Sequence, residues 1–289
     1  MERMEIPPSW ESLTLSTLGG VILVVGATDT GKTTFARYLY RRLADHHNRL
    51  AFVDGDVGQA TLGPPATMTV ALGDADDDRF PPSGPRFRTF VGDISPTGHM
   101  LPAVVGAHKL VEKAREAGTS AIVFDTTGLV NPSDGGRALK LALVDLLRPR
   151  IVVGLQRGRE LEHLLVPLRR SQRTRVIDLE VVEAVARRAR DQRRAHRAER
   201  YRRAFEGAKA LNLSWSERAV IPSPSFPKHR LVALEDAEGF VLELGIVTDR
   251  DPSRSMVELL TPLSCADDVD AIHLGDVTVD PETFRDRHL

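Results

Sequence analysis

The chain has one cysteine, Cys265, in 289 residues. An internal disulfide is therefore excluded, and a single thiol with no motif around it reads as a small buried hydrophobe in a cytosolic protein. No apolar stretch approaches the roughly 18 residues that a membrane span requires, so no membrane partner is expected. The acidic, proline-bearing start (MERMEIPPSWES) lacks the basic-then-apolar order of a signal peptide. No Cys/His spacing supports a zinc site, and His46, His47, His163 and His196 read as surface residues. Aromatic residues are scarce at 5%, while hydrophobic content of 42% and charged content of 27% are ordinary for a globular protein. There is no internal repeat and no low-complexity tail.

A formal net charge of −1 hides an uneven distribution. Between Arg148 and Arg203 there are 17 arginines against seven acids, whereas Asp74–Asp78 and the last quarter of the chain are acidic. A basic segment inside a neutral protein points to a dedicated anion-binding face.

Val21-Ile22-Leu23-Val24-Val25 is a continuous apolar run, as in a strand buried on both faces of a parallel sheet. Phe35, Leu39 and Leu43 then recur at helical spacing to about Asp45, and Leu50–Val53 reads as a second strand. Further strands are expected at Phe87–Val91, Ala121–Phe124, Ile151–Leu155 and Thr174–Ile177, with a helix from about Thr97 to Ala117 and an exposed loop at Asp74–Gly84. A long Arg-rich helical pattern runs from Val181 to about Leu211. Beyond a linker carrying Pro222, Pro224 and Pro227, short alternating strands are expected at Arg230–Leu234, Phe240–Val247, Met256–Leu260 and Ala271–Leu274. The expected architecture is an α/β P-loop NTPase fold, a mostly parallel sheet flanked by helices over residues 1–211, with a small β-rich C-terminal domain over 212–289.

Four clusters carry chemistry. Gly26-Ala27-Thr28-Asp29-Thr30-Gly31-Lys32-Thr33 satisfies G-x-x-x-x-G-K-[ST] between an apolar strand and a helix, with Thr34 following. Such a loop curls backbone N–H groups around a phosphate. Its lysine neutralises the β- and γ-phosphates, and its threonine ligates Mg²⁺. The nucleotide is expected to be ATP or another triphosphate; Trp10 and Trp215 read as packing residues, with covering of the base by Trp10, beside two prolines, as the alternative. Asp54-Gly55-Asp56-Val57-Gly58-Gln59 closes the second strand, where carboxylates face the ligand crevice of an α/β sheet. Either Asp56 or Asp54 can accept a hydroxyl proton, with the other holding a Mg²⁺-bound water; an acidic turn is the plainer alternative. Asp125-Thr126-Thr127-Gly128 follows an apolar strand as a Walker-B acid does, with Asp125 toward Mg²⁺. Last, Arg187, Arg188, Arg190, Arg193, Arg194, Arg197, Arg200, Arg202 and Arg203 crowd one helix, and positions 190, 193, 194 and 197 share a face. Arginines of a lid stabilise the charge spread over a transferring phosphoryl group; a solvated surface helix is the alternative.

With GATDTGKTTFARYL at 26–39, DGDVGQATLGPP at 54–65, SPTGH at 95–99, DTTGLV at 125–130 and the arginine helix at 187–203, the chain resembles the polynucleotide 5′-hydroxyl kinases related to the Clp and Grc RNA-processing kinases, in their compact prokaryotic form. The resemblance implies that Lys32 and Thr33 serve ATP and Mg²⁺; Asp54 and Asp125 toward the metal remain the reading of the strand ends themselves. It implies that Asp56 activates the 5′-hydroxyl of RNA or DNA with Gln59 close by, and that Thr127-Gly128 forms a clasp on the substrate phosphate. Arg188, Arg193 and Arg197 become lid arginines. Several eukaryotic members carry an aromatic after the clasp glycine, and this chain has Leu129 there, without the base stacking worth roughly 1–3 kcal/mol. A regulatory P-loop ATPase with no phosphate acceptor, or a kinase or ligase for a small metabolite, is the competing expectation.

Overall fold

The computed structural model describes residues 6–73, 80–181 and 189–289. The chain forms two compact units: Met1–Gly55, Val70–Arg86 and His108–Arg188 make the first, and Asp56–Thr69, Phe87–Ala107 and Ala189–Leu289 make the second.

The first unit holds the apolar strands that the sequence announces. Strands β1 (Gly20–Gly26), β2 (Leu50–Gly55), β5 (Ala121–Thr126), β6 (Ile151–Gln156) and β7 (Arg175–Glu180) pair in parallel, in the order β2-β5-β1-β6-β7. Every residue of β2, β5 and β6 is buried, which is why these runs are continuously apolar. Two more strands, β3 (Thr67–Gly73) and β4 (Arg86–Phe90), extend the sheet beyond β2 to seven. No strand was expected at β3, although its TMTVALG stretch alternates and lies between Gly63-Pro64-Pro65 and Asp74. Helices α2 (Lys32–Ala44), α4 (Gly136–Leu147) and α5 (Glu162–Ser171) belong to this unit, and α3 (Met100–Glu116) ends close to where Gly118 predicted. The short α1 (Pro8–Glu11) carries Trp10, which is buried against Phe35 and Tyr38 of α2 with ring centroids 5.1 and 5.5 Å away. Trp10 is thus core. Most of the expected loop at 74–84 lies outside the described residues; within it Phe80 packs edge-on against Phe52 at 4.8 Å.

The second unit is built on a largely antiparallel sheet. It runs β14 (Asp286–His288), β13 (Ala271–Val279), β10 (Arg230–Glu235), β11 (Val241–Asp251), β12 (Met256–Thr261), β8 (Lys209–Ser214), with β9 (Ala219–Ile221) parallel to β13. Helix α6 (Arg190–Ala204) stops short of the expected end near Leu211, and residues 182–188 of the expected helix lie outside the described residues. Its Tyr201, with Phe205 just beyond it, enters a core of Phe90, Leu231, Leu244, Ile246 and Val277. The cut expected at residue 211 therefore runs through β8, and α6 groups with the C-terminal sheet because two aromatics anchor it there. Cys265 is exposed rather than buried, since it sits in the loop between β12 and β13.

Candidate active site

The phosphate loop hangs between β1 and α2. Gly31 takes φ 83°, a left-handed turn, and α2 starts at Lys32 with no side-chain cap. Uncapped N–H groups at a helix N-terminus are what a phosphate needs. Lys32 is buried, and its Nζ donates to the Ala27 carbonyl at 2.8 Å, while Thr30 Oγ1 donates to the same oxygen at 2.9 Å. Arg157 was not singled out from the sequence. Its guanidinium reaches the Asp29 carbonyl from the loop after β6. That loop is fixed by Gln156, whose Nε2 donates to Asp178 and Glu162 and whose Oε1 accepts from Leu161 N. The hydrogen bond from Arg169, then that from Gln156, holds Glu162 ionised with a pKa lowered to about 2.

Parallel pairing sets the two acids side by side. Asp54 of β2 is opposite Asp125 of β5, and Asp125 in turn is opposite Val24 of β1, two residues before the phosphate loop. Both are buried, at 2% and 1% exposure, which charged carboxylates tolerate only when a cation or donors compensate them. Mg²⁺ takes one or two carboxylates plus phosphate oxygens, so the pair together with Thr33 fits it. Among the described residues no cluster of three or more His, Cys, Asp or Glu forms a self-sufficient metal cage.

The Thr127-Gly128 segment is pinned from two helices. Thr127 Oγ1 accepts from Leu129 N at 3.1 Å, and its carbonyl accepts from Lys140 Nζ at 2.7 Å. Lys140, on α4, is buried and drew no notice in the sequence, because nothing local distinguishes it from the other lysines. His163 of α5 bonds the Val130 carbonyl at 3.0 Å, so it is a tether rather than a bystander on the surface. Gly128 packs against Thr28 of the phosphate loop so closely that a Cβ there would lie 2.5 Å from Thr28 Oγ1.

In the second unit, Asp56 begins a turn and its Oδ1 accepts from Gly58 N and Gln59 N at 3.1 and 3.0 Å. The Gln59 amide donates to Gly58 O, and its buried Oε1 has no hydrogen-bond partner among the described residues. Helix α6 holds this loop. His196 bonds Ala60 O at 3.2 Å, and Arg200 donates twice to Gly63 O. Two motifs separated by about 130 positions are thus one assembly, and again a supposed surface histidine is a tether.

The arginines of α6 divide by environment. Arg197 is nearly buried and forms a bidentate pair with Asp286 of β14, both bonds at 3.0 Å. Arg202 and Arg203 pair with Glu199, lowering its pKa, and Arg193 is partly buried on the face that carries Arg197. Arg187 and Arg188 lie outside the described residues. Tyr201 is fully buried with its hydroxyl unbonded among the described residues. Burial first, then Asp286, pushes its pKa well above the ordinary value. His99, the histidine of the SPTGH stretch, accepts Ala103 N through its carbonyl and contacts Asp276 at 3.1 Å, a helix-start role.

Comparison with known proteins gives these geometries a context. The profile of the family described as mRNA cleavage and polyadenylation factor CLP1 P-loop matches residues 26–207. The polyribonucleotide 5′-hydroxyl-kinase of Methanocaldococcus jannaschii is 30% identical over 222 residues, covering 77% of this chain and 59% of the relative. That of Pyrococcus furiosus is 33% identical over 204 residues, covering 71% and 55%. This chain spans a little over half the length of these curated relatives. A solved Clp1p–Pcf11p complex shares the fold, with a TM-score of 0.67 at 14% identity over 91% of this chain and 75% of that one. No helix among the described residues is long and apolar enough to cross a membrane.

Proposed function

Because this chain belongs to the CLP1 P-loop family, we propose that it transfers the γ-phosphate of ATP to the 5′-hydroxyl end of RNA or DNA. The observation that carries the reading is the tether of α6 to the Asp56 loop through His196 and Arg200, which builds a carboxylate and a bank of guanidinium groups into one unit. A P-loop switch has no use for such an acceptor-side assembly.

The donor is held by the main-chain N–H groups of residues 26–34 and by Lys32, which exchanges its bond to Ala27 O for the β- and γ-phosphates. Thr33, Asp54 and Asp125 would hold Mg²⁺, whose charge offsets that of the triphosphate. Asp56 accepts the 5′-hydroxyl proton as the O5′–Pγ bond forms and the bond from Pγ to the bridging oxygen breaks, releasing ADP. The hydrogen bonds that Asp56 Oδ1 accepts from Gly58 N and Gln59 N fix the direction of that carboxylate. Gln59 and the Thr127-Gly128 clasp position the acceptor. Arg193, together with Arg188, neutralises the phosphoryl group in transfer, and Arg197 acts as a positioning residue through Asp286.

The test is incubation with γ-labelled ATP and oligonucleotides of RNA and DNA bearing 5′-hydroxyl ends. Label appears on the oligonucleotide. Release of free phosphate alone, with no labelled strand, would mean a regulatory ATPase instead.

A further inference from the structure

The last residues of the chain build a charged face with α6. Asp286 is turned inward, where its carboxylate (side chain 3% exposed) takes both Nε and Nη2 of Arg197. Side chains alternate along an extended strand, so a buried Asp286 sends Arg285 and Arg287 outward, and both are exposed. Three open hollows of about 290, 320 and 320 Å³ adjoin them. Arg287 lines all three, Arg285 and Arg194 two each, and Arg190 and Arg193 one. Arg287 is a wall common to all three, so the hollows lie side by side as a track along one arginine-lined face.

Charge on this track is unbalanced. Among the described residues, Arg190, Arg194, Arg285 and Arg287 make no side-chain hydrogen bond or ion pair. Of the acids beside them, Asp286 is spent on Arg197. Asp280 is turned into its own loop, accepting from Thr283 N, Thr283 Oγ1 and Glu282 N. That leaves Asp191. Three of the arginines also crowd the first turn and a half of α6, where the helix dipole is already positive, so each adds to the local potential at a cost in stability. Such an arrangement is relieved by a bound polyanion. The shape selects the kind. A single small anion fits one hollow, whereas a chain of phosphates follows the track. Among the described residues the walls carry no Phe, Tyr or Trp, so the grip is on the backbone and not on the bases.

We propose that the face formed by α6 and the C-terminal strand binds the phosphodiester backbone of the acceptor strand, downstream of its reacting end, through Arg190, Arg194, Arg285 and Arg287. The Arg197–Asp286 pair is the clip that sets the two rows of arginines side by side. The proposal rests on the kinase reading and adds to it a length preference: acceptors long enough to occupy the track are held more tightly than short ones.

The experiment uses the full chain and the variant Arg285→Glu/Arg287→Glu, with Arg285→Gln/Arg287→Gln as a neutral control should reversal disturb folding. Binding of a long single strand already phosphorylated at its 5′ end is followed by anisotropy across a salt series, and KM is measured for a dinucleotide and for a long acceptor. Binding of the long strand weakens by about tenfold or more, and its salt dependence becomes shallower by about 0.7 for each phosphate that the variant no longer neutralises. KM rises far more for the long acceptor than for the dinucleotide. Unchanged long-strand binding in both variants, or equal losses on both acceptors, overturns the track while leaving the kinase reading intact. Salt-dependent binding that the variants weaken, in a protein that labels no acceptor, leaves the track standing and overturns the kinase reading.

Discussion

Arg200 donates from Nε and Nη2 to the carbonyl oxygen of Gly63, at 3.2 and 2.7 Å. One guanidinium thereby binds the arginine helix to the D-x-D-x-G-Q-x-x-x-G-P-P loop that begins with Asp54 and Asp56. Arg200→Ala is expected to lower kcat without changing nucleotide affinity, because only the acceptor-side loop loosens. Lysine, which presents one donor point rather than a fork, restores only part of the activity. Steady-state kinetics beside nucleotide titration separates the two effects.

Lys32→Ala is expected to abolish phosphate transfer. The amine is buried over the loop, and its loss removes charge neutralisation and positioning together. End-labelling checks it; labelling that stays close to the wild-type level would assign the role elsewhere.

Asp56→Asn retains the bonds to Gly58 N and Gln59 N in an isosteric side chain but removes the proton acceptor. Nucleotide binding survives and turnover falls by about 10²–10⁴-fold, the usual contribution of a general base. Normal turnover would leave Asp56 as a turn residue only.

Gly128→Ala places a methyl 2.5 Å from Thr28 Oγ1 and 2.9 Å from Thr28 N and Cα. Backbone is among what it meets, so the clasp must move away from the phosphate loop. Strain of about 1–3 kcal/mol is expected, read as a lower unfolding midpoint, with ATP affinity reduced as well.

Tyr201→Phe tests the cost of an unbonded buried hydroxyl. Removing it is expected to be neutral or stabilising by up to about 1–3 kcal/mol, since no partner is left unsatisfied. The wild-type phenol has a folded pKa raised above its unfolded value of about 10. Its neutral form is favoured by folding, so its contribution is complete below pH about 10 and declines as pH rises beyond that toward the folded value. Denaturant melts across that alkaline range should fall less steeply in the phenylalanine variant. Equal slopes would show that the phenol does not set the alkaline limit.

Much of the first unit was legible because its information is local. The apolar runs at β1, β2, β5 and β6 are buried on both faces, and G-x-x-x-x-G-K-T encodes its own turn and helix start. The arginine helix was legible as a helix but not in its extent or allegiance. Tyr201 and Phe205 tie it to the C-terminal sheet, and nothing in its charge pattern says so. Arg157 and Lys140 escaped notice, and His163 and His196 were read as surface residues, for a shared reason. Each bonds a carbonyl remote in sequence, and a carbonyl has no residue type to recognise.

By itself the sequence determined that β1, β2, β5 and β6 are buried strands, where a phosphate can be cradled, and which carboxylates close their strands, since periodicity and glycine placement act over a few residues. Tertiary structure alone decided that Asp54 faces Asp125, that α6 grips the Asp56 loop, and that Arg197 is spent on Asp286 while Arg285 and Arg287 face outward. Those outcomes depend on which distant backbone and charge a side chain meets, and that is fixed only when the sheets and helices pack.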